Sequence, residues 1–130
     1  MKSWDSGSAR PILLVDDEPT LLDATRSRLE HGLPGIELLA FRDANEALRA
    51  TEGRALGLAI LDVDMPPMSG FELAEKLHAR SPDLPVLFLT GTAKESDPEE
   101  LERVGAVAWF RKPVSGQVLI DAVKSHILCD

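Results

Sequence analysis

From Pro11 onward the chain alternates between short apolar runs and longer segments in which apolar residues recur every three or four positions. The runs fall at roughly 11–16, 36–42, 57–62, 85–90 and 107–111. They are rich in Val, Ile and Leu without strict alternation, the pattern of strands buried on both faces of a sheet. Helical periods fill the gaps. Pro19 to His31 sets Leu21, Leu22, Thr25 and Leu29 on one stripe, with Asp23, Arg26 and Glu30 elsewhere. Asn45 to Thr51 is short and Ala-rich, with Asp43 placed to cap it and Gly53 near its end. Phe71 to Arg80 gathers Leu73, Ala74 and Leu77 before Ser81-Pro82 stops it. The fourth helix opens on Ser96-Asp97-Pro98-Glu99-Glu100, which supplies a cap, a proline in the first turn and acids near the positive helix end. Only Leu101 and Val104 are strongly apolar along it, so it is expected to be the least firmly docked. Gly116 to Leu128 gathers Leu119, Ala122, Val123 and Ile127 on one side.

Five β–α units in succession imply right-handed crossovers and a parallel sheet covered on both faces, an α/β doubly wound architecture. At 130 residues the chain makes one domain with a real core. Residues 1–10 are polar and lack the apolar centre of a signal peptide, so they read as a disordered leader or an expression remnant outside a folded unit of 11–128. No apolar stretch reaches the length of a membrane span. The net charge of −8 argues against direct nucleic-acid binding, which needs clustered Lys and Arg. Cys129 is the single cysteine, which excludes a disulfide framework and points to a reducing, cytoplasmic compartment.

The candidate chemistry lies where the apolar runs stop. The first leads into Asp16-Asp17-Glu18, the third into Asp62, the fourth into Thr90, and the last passes through Arg111 to Lys112-Pro113. In an open parallel sheet the carboxyl ends of the strands form the ligand-binding edge, so these residues would meet there. A carboxylate such as Asp62 can attack phosphorus and form an aspartyl-phosphate. Bringing two anions together needs a hard cation, and magnesium takes one or two carboxylates of the kind Asp16 and Asp17 offer. Lys112 can pair with a phosphoryl oxygen, Thr90 can donate its hydroxyl to another, and Gly91 leaves room above the site. Each residue also has a plainer reading. The acidic triplet could simply cap the first helix, Thr90 could be a turn residue before glycine, and Lys112 could be a solvated loop lysine before an X–Pro bond suited to a cis peptide.

The order Asp16-Asp17, Asp62, Thr90 and Lys112-Pro113 resembles the receiver domain of two-component response regulators. The segment Asp62-Val63-Asp64-Met65-Pro66-Pro67-Met68-Ser69-Gly70 is similar to that family's phosphoacceptor strand and following loop, and Gly105-Ala106 fits before the last strand. The resemblance covers residues 11–128. It implies a flavodoxin-like sheet of order 2-1-3-4-5 with five helices. It also implies that Asp62 takes a phosphoryl group from a histidine kinase or phosphotransfer protein. Mg2+ would be held by Asp17 and Asp62, by Asp16 mainly through water, and by the Asp64 backbone carbonyl. Thr90 and Lys112 would bind the phosphoryl oxygens and signal to an α4-β5-α5 face that meets an output domain, an effector or a second receiver in a homodimer.

Two positions are distinctive. Where the family usually carries Tyr or Phe as a switching aromatic, this chain has Trp109, whose larger indole restricts inward rotation; its alternative is a surface-packed aromatic. Asp64, two residues after Asp62, would sit with Gly91 and Pro113 at the site rim and affect the phosphoryl lifetime. His31, His78 and His126 have no ligand spacing and read as surface residues, whereas Phe41, Phe71, Phe88 and Phe110 read as core, with a place in the partner-facing surface near the site as the alternative for Phe71 after Gly70. Asp62-Val63-Asp64 also resembles the opening of haloacid-dehalogenase-type phosphatases. In those enzymes, however, the nucleophile is on the first strand and the acidic pair comes later. A third reading is a receiver that binds partners without phosphorylation.

Overall fold

The structure is a computed structural model and describes residues 7–91 and 98–130. The elements alternate without exception: β1 (Ile12–Val15), α1 (Pro19–Gly32), β2 (Leu38–Phe41), α2 (Ala44–Ala50), β3 (Leu58–Asp62), α3 (Gly70–Arg80), β4 (Val86–Thr90), α4 (Pro98–Arg103), β5 (Ala106–Arg111) and α5 (Gly116–His126). The strands form one sheet of order β2-β1-β3-β4-β5, parallel throughout. This is the doubly wound, flavodoxin-like order that the alternation and the resemblance implied.

The period-two geometry of each strand sorts its side chains onto opposite faces. Leu13, Val15, Ala59, Leu61, Val86 and Phe88 pack with Ala47, Leu73, Ala74 and Leu77 of α2 and α3. Ile12, Leu14, Ile60, Leu87 and Leu89 pack with Leu22 and Leu29 of α1 and Leu119 and Val123 of α5. The central strands β1, β3 and β4 are buried along their whole length, while β2 and β5 are only partly buried. Burial on both faces, expected of all five runs, fails at the two edges, because an edge strand has a neighbour on one side only. In β5 burial alternates, and a bulge between the Val86–Ala106 and Leu87–Ala108 pairs leaves Val107 as the extra residue.

Helix starts follow side-chain caps. Glu18 caps α1 by accepting from the Thr20 and Leu21 N–H groups, Asp43 caps α2, Ser69 caps α3 and Ser115 caps α5. The expected cap of α4, Ser96-Asp97, lies outside the described residues, as do the side chain of Leu101 and the leader residue Trp4. Val104, the other apolar residue assigned to that helix, is buried just beyond its end.

Several expectations change. Leu21 is 37% exposed although it lies on the predicted stripe, because the helix turns it towards the strand-end edge rather than onto the sheet. Phe88 is fully buried, but Phe41, Phe71 and Phe110 are only partly so, being at the sheet edges or on the helix that covers Phe88; Phe71 meets that ring edge-on at 5.1 Å. His78 is not a free surface residue. Its Nε2 lies 2.8 Å from the Leu84 carbonyl oxygen, and its ring fills the space against Gly105. Helix α5 stops at His126, two residues early, and Ser8–Arg10, assigned to the leader, pair with the chain that follows it.

Gly70 positions the site most directly. A Cβ there would lie 2.3 Å from the Asp62 carbonyl oxygen and 3.0 Å from Val63 Cα, and the Gly70 N–H donates to the Val63 carbonyl at 2.9 Å. The obstacles are backbone atoms, which cannot swing aside. Gly70→Ala is expected to destabilise the fold by about 1–3 kcal/mol, read as a lower urea midpoint at unchanged slope. An unaltered midpoint would show that α3 and β3 can separate enough to admit a methyl group.

Candidate functional site

All four functional strand ends reach the same edge of the sheet. Asp16 follows β1, Asp62 ends β3, Thr90 ends β4, and Lys112 follows β5. The ladder continues past the named strands. The Asp16 N–H donates to the Phe41 carbonyl at 3.2 Å, the Val63 N–H to that of Leu89 at 3.0 Å, and the Lys112 N–H to that of Thr90 at 2.8 Å. These bonds hold the polar residues in register with the sheet.

Asp16 is 2% exposed and Asp62 is 4% exposed, so both carboxylates need partners. Lys112 supplies one to each. Its Nζ lies 3.1 Å from Asp16 Oδ2 and 3.3 Å from Asp62 Oδ2. The second oxygens accept backbone N–H groups: Asp16 Oδ1 takes that of Glu18 at 3.0 Å, and Asp62 Oδ1 takes that of Asp64 at 3.3 Å. Helix capping falls to Glu18, which leaves Asp16 and Asp17 facing the site. One carboxylate oxygen from each of Asp16, Asp17 and Asp62 lies within 4.8 Å of the others, and Asp17 is exposed to solvent. This all-oxygen, partly solvated set suits a small hard cation that keeps some of its water.

The electrostatics are uneven. Burial pushes the Asp62 carboxyl up to about 6; the Lys112 charge opposes the rise, and the Asp16 charge adds to it. For Lys112, burial disfavours the charged form, but Asp16 and Asp62 outweigh it and hold the pKa above the usual lysine value. The site therefore carries more negative charge than its one lysine neutralises.

The remaining candidates fall around this cluster. Thr90 is buried beside it at the end of β4, where Asp62 pairs in register with the preceding Leu89. Gly91 is exposed with open space at its Cα, and Asp64 and Pro113 are exposed at the rim. The Lys112–Pro113 peptide is cis, as is Pro66–Pro67. Trp109 is 40% exposed on β5, one strand from the buried Phe88 with which it pairs. The sequence did not single out Arg28, and it placed Leu21 on the core-facing stripe of α1. They border a mostly apolar cleft between α1 and α5 that has Asp16 and Lys112 at its mouth, and Arg28 Nη1 donates to the Val114 carbonyl at 3.3 Å.

The model of the response regulator receiver domain matches residues 12–124. The chain belongs to this family. Among its relatives, the response regulator protein FleR of Pseudomonas aeruginosa is 36% identical over 120 residues, covering 92% of the chain and 25% of FleR. The transcriptional regulatory protein FixJ of Bradyrhizobium diazoefficiens is 30% identical, covering 89% of the chain and 56% of FixJ. A CheY-like receiver from Methanospirillum hungatei superposes with a TM-score of 0.79 at 33% identity, covering 91% of this chain and 93% of that one. Vibrio cholerae CheY4, a chemotaxis protein, superposes with a TM-score of 0.82 at 27% identity, covering 92% and 99%. The chain spans only about a quarter to a half of the curated regulators it matches, such as FleR at 25% and FixJ at 56%. This receiver is thus a two-component signalling domain, and the phosphatase reading is not favoured. Among the described residues, no helix is long and apolar enough to cross a membrane.

The raised Asp62 pKa has a consequence for stability. An acid whose folded pKa lies above its ordinary value of 3.8 costs nothing while protonated, and the cost of its charge grows as pH rises through about 6. In chelator at pH 8, Asp62→Asn is expected to melt above wild type by on the order of 5 °C. The gap should close as the pH is lowered towards 4. A gap that stays constant by calorimetry between pH 5 and 8 would exclude this origin.

Proposed function

We propose that this receiver takes a phosphoryl group onto Asp62 from a phosphohistidine of a kinase or phosphotransfer protein, and that Lys112 and Thr90 report the change to the α4-β5-α5 face. The observation that carries the reading is the Lys112 ammonium between Asp16 and Asp62, with Asp17 completing an acidic cluster at 4.8 Å or less. The transfer breaks the P–N bond of the donor and forms an Asp62 Oδ–P bond. The departing imidazole nitrogen keeps the electron pair and recovers a proton from water.

Asp16, Asp17 and Asp62 would hold Mg2+, with the Asp64 backbone carbonyl as a further oxygen. The ion supplies charge neutralisation where the incoming phosphoryl oxygens meet the carboxylates. Asp62 Oδ2 becomes part of the acyl phosphate, and Lys112, already 3.3 Å from it, pairs with a phosphoryl oxygen. Thr90 donates its hydroxyl to another. Because the Lys112 N–H is bonded to the Thr90 carbonyl, the two report through one joint at the end of β4 and β5. Movement there biases α4, β5 and α5 between two arrangements. Exposed Val107 and Trp109 on β5 and Val118 on α5 support this face as the meeting place for an output domain, an effector or a second receiver in a homodimer. A cytoplasmic setting fits the single cysteine and the donor chemistry.

Incubation with acetyl phosphate and magnesium should add one phosphoryl group by intact mass. Asp62→Ala, or chelation of the metal, should abolish the addition. In a Trp4→Phe background, beryllofluoride should change Trp109 emission only when Asp62 is present. No response with or without Asp62 would favour a receiver that acts by binding alone. Turnover of p-nitrophenyl phosphate should be absent.

Asp64 is exposed two residues after the acceptor, with its N–H donating to Asp62 Oδ1 at 3.3 Å, and its carboxylate would stand near the dianionic phosphoryl group. Like-charge repulsion is relieved as a loose transition state releases the phosphoryl group. Asp64→Asn is expected to slow autodephosphorylation roughly 3- to 10-fold, about 1 kcal/mol of barrier. An unchanged rate removes Asp64 from this role.

A further inference from the structure

At the end of the sheet opposite the acidic cluster, three segments far apart in sequence interlock. Helix α5 makes its last turn with the Ile127 N–H donating to the Val123 carbonyl at 2.9 Å, and Ile127 then leaves the helix with extended angles (φ −61°, ψ 137°). Its side chain is fully buried. The next residues run antiparallel to the start of the chain, with Ala9 and Cys129 as the bridge pair. The Leu128 N–H donates to the Gly57 carbonyl at 2.9 Å, the Arg10 N–H to the Leu128 carbonyl at 3.1 Å, and the Asp130 N–H to the Ser8 carbonyl at 2.7 Å. Arg10 Nε adds an ion pair to Asp130 Oδ1 at 2.7 Å. The Gly57 N–H closes the set by donating to the Pro11 carbonyl at 2.8 Å.

Gly57 is what allows the approach. A Cβ there would stand 2.8 Å from the Arg10 carbonyl oxygen and 2.9 Å from Ile127 Cγ1. The other end of α5 is tied quite differently. Its cap, Ser115, follows Lys112 by three residues, and its first turns pack on α1 through the Leu119 and Ile120 side chains. Among the described residues, the hydrogen bond from α1 into that loop is the exposed one from Arg28 to the Val114 carbonyl. A helix of 11 residues is about 16 Å long. One end is therefore set by the charged site and the other by a backbone latch on the base of β1 and β3.

The geometry points to residues 8–10, 57 and 127–130 as a fixed latch that makes α5 a lever. Movement imposed at Lys112 displaces the first turn of α5 and dies away towards Ile127, and the latch stays closed in both states. The readable part of the α5 face is then its N-terminal half, around Val118. The latch itself is drawn in the unmodified protein; its behaviour during switching rests on Asp62 being the acceptor.

Amide hydrogen exchange by NMR tests both points. In the unmodified protein the Arg10, Gly57, Leu128 and Asp130 amides should be protected. Beryllofluoride with magnesium should alter exchange at Val118 and Leu119 while leaving those four within about twofold. Gly57→Val should lower protection at Arg10 and Leu128 tenfold or more and let the beryllofluoride response spread to the last turn of α5. If Gly57→Val does not fold, Asp130→Ala should weaken the same amides by a smaller factor. Absent protection in the unmodified protein, tenfold loss on beryllofluoride, or indifference to both variants overturns the latch. If 19F NMR shows that beryllofluoride does not bind, the acceptor reading fails instead, and the unmodified protein and the variants still judge the latch.

Discussion

A single ammonium group holds the strand-end edge together. Asp16 and Asp62 are almost fully buried, and Asp17 lies close enough that all three carboxylates repel. Lys112 reaches between the two buried ones from the far side of β4. With about 4.8 Å between neighbouring strands, β5 stands about 10 Å from β3. The lysine crosses that distance from just beyond its strand, over the end of β4 at Thr90. The cluster still carries more acid than base, so its negative charge favours a cation.

Packing grades the molecule from rigid to accessible. β1, β3 and β4 lie inside two apolar layers, one shared with α2 and α3 and the other with α1 and α5. Asp16 follows the first of these strands, and Asp62 and Thr90 end the other two. β5 is an edge strand with one bulged and partly exposed face; it carries Trp109, and Lys112 follows its last residue. The charge-bearing end of the site is thus mounted on the least buried functional strand. The glycines at 57 and 70 do the opposite work, bringing backbone segments close enough to lock the base and the β3 end.

Most of the fold could be read from the chain, because apolar runs and helical periods are local patterns. The runs at 11–16, 57–62 and 85–90 match strands whose centres are fully buried, and Asp43 caps α2 as the sequence indicated. The edge strands were misjudged because apolar content does not reveal which run will lack a neighbour. His78 looked like a surface histidine because its partners, Leu84 and Gly105, are reached only after the chain turns back. Ser8–Arg10 looked like a leader because backbone pairing with residues 128–130 leaves no trace in side-chain pattern.

The sequence by itself determined the alternation of strands and helices, the order Asp16-Asp17, Asp62, Thr90, Lys112, and through that order the family. Only the tertiary structure decided how these groups share their charges. It made Glu18 the helix cap and left Asp16 to Lys112, and it buried Asp62 deeply enough to raise its pKa. It also left Trp109 40% exposed and joined Ser8–Arg10 and residues 128–130 to each other beside Gly57. The reason is physical: residue order along a chain fixes which groups can line one edge of a sheet, but desolvation and pairing depend on distances set by every strand at once.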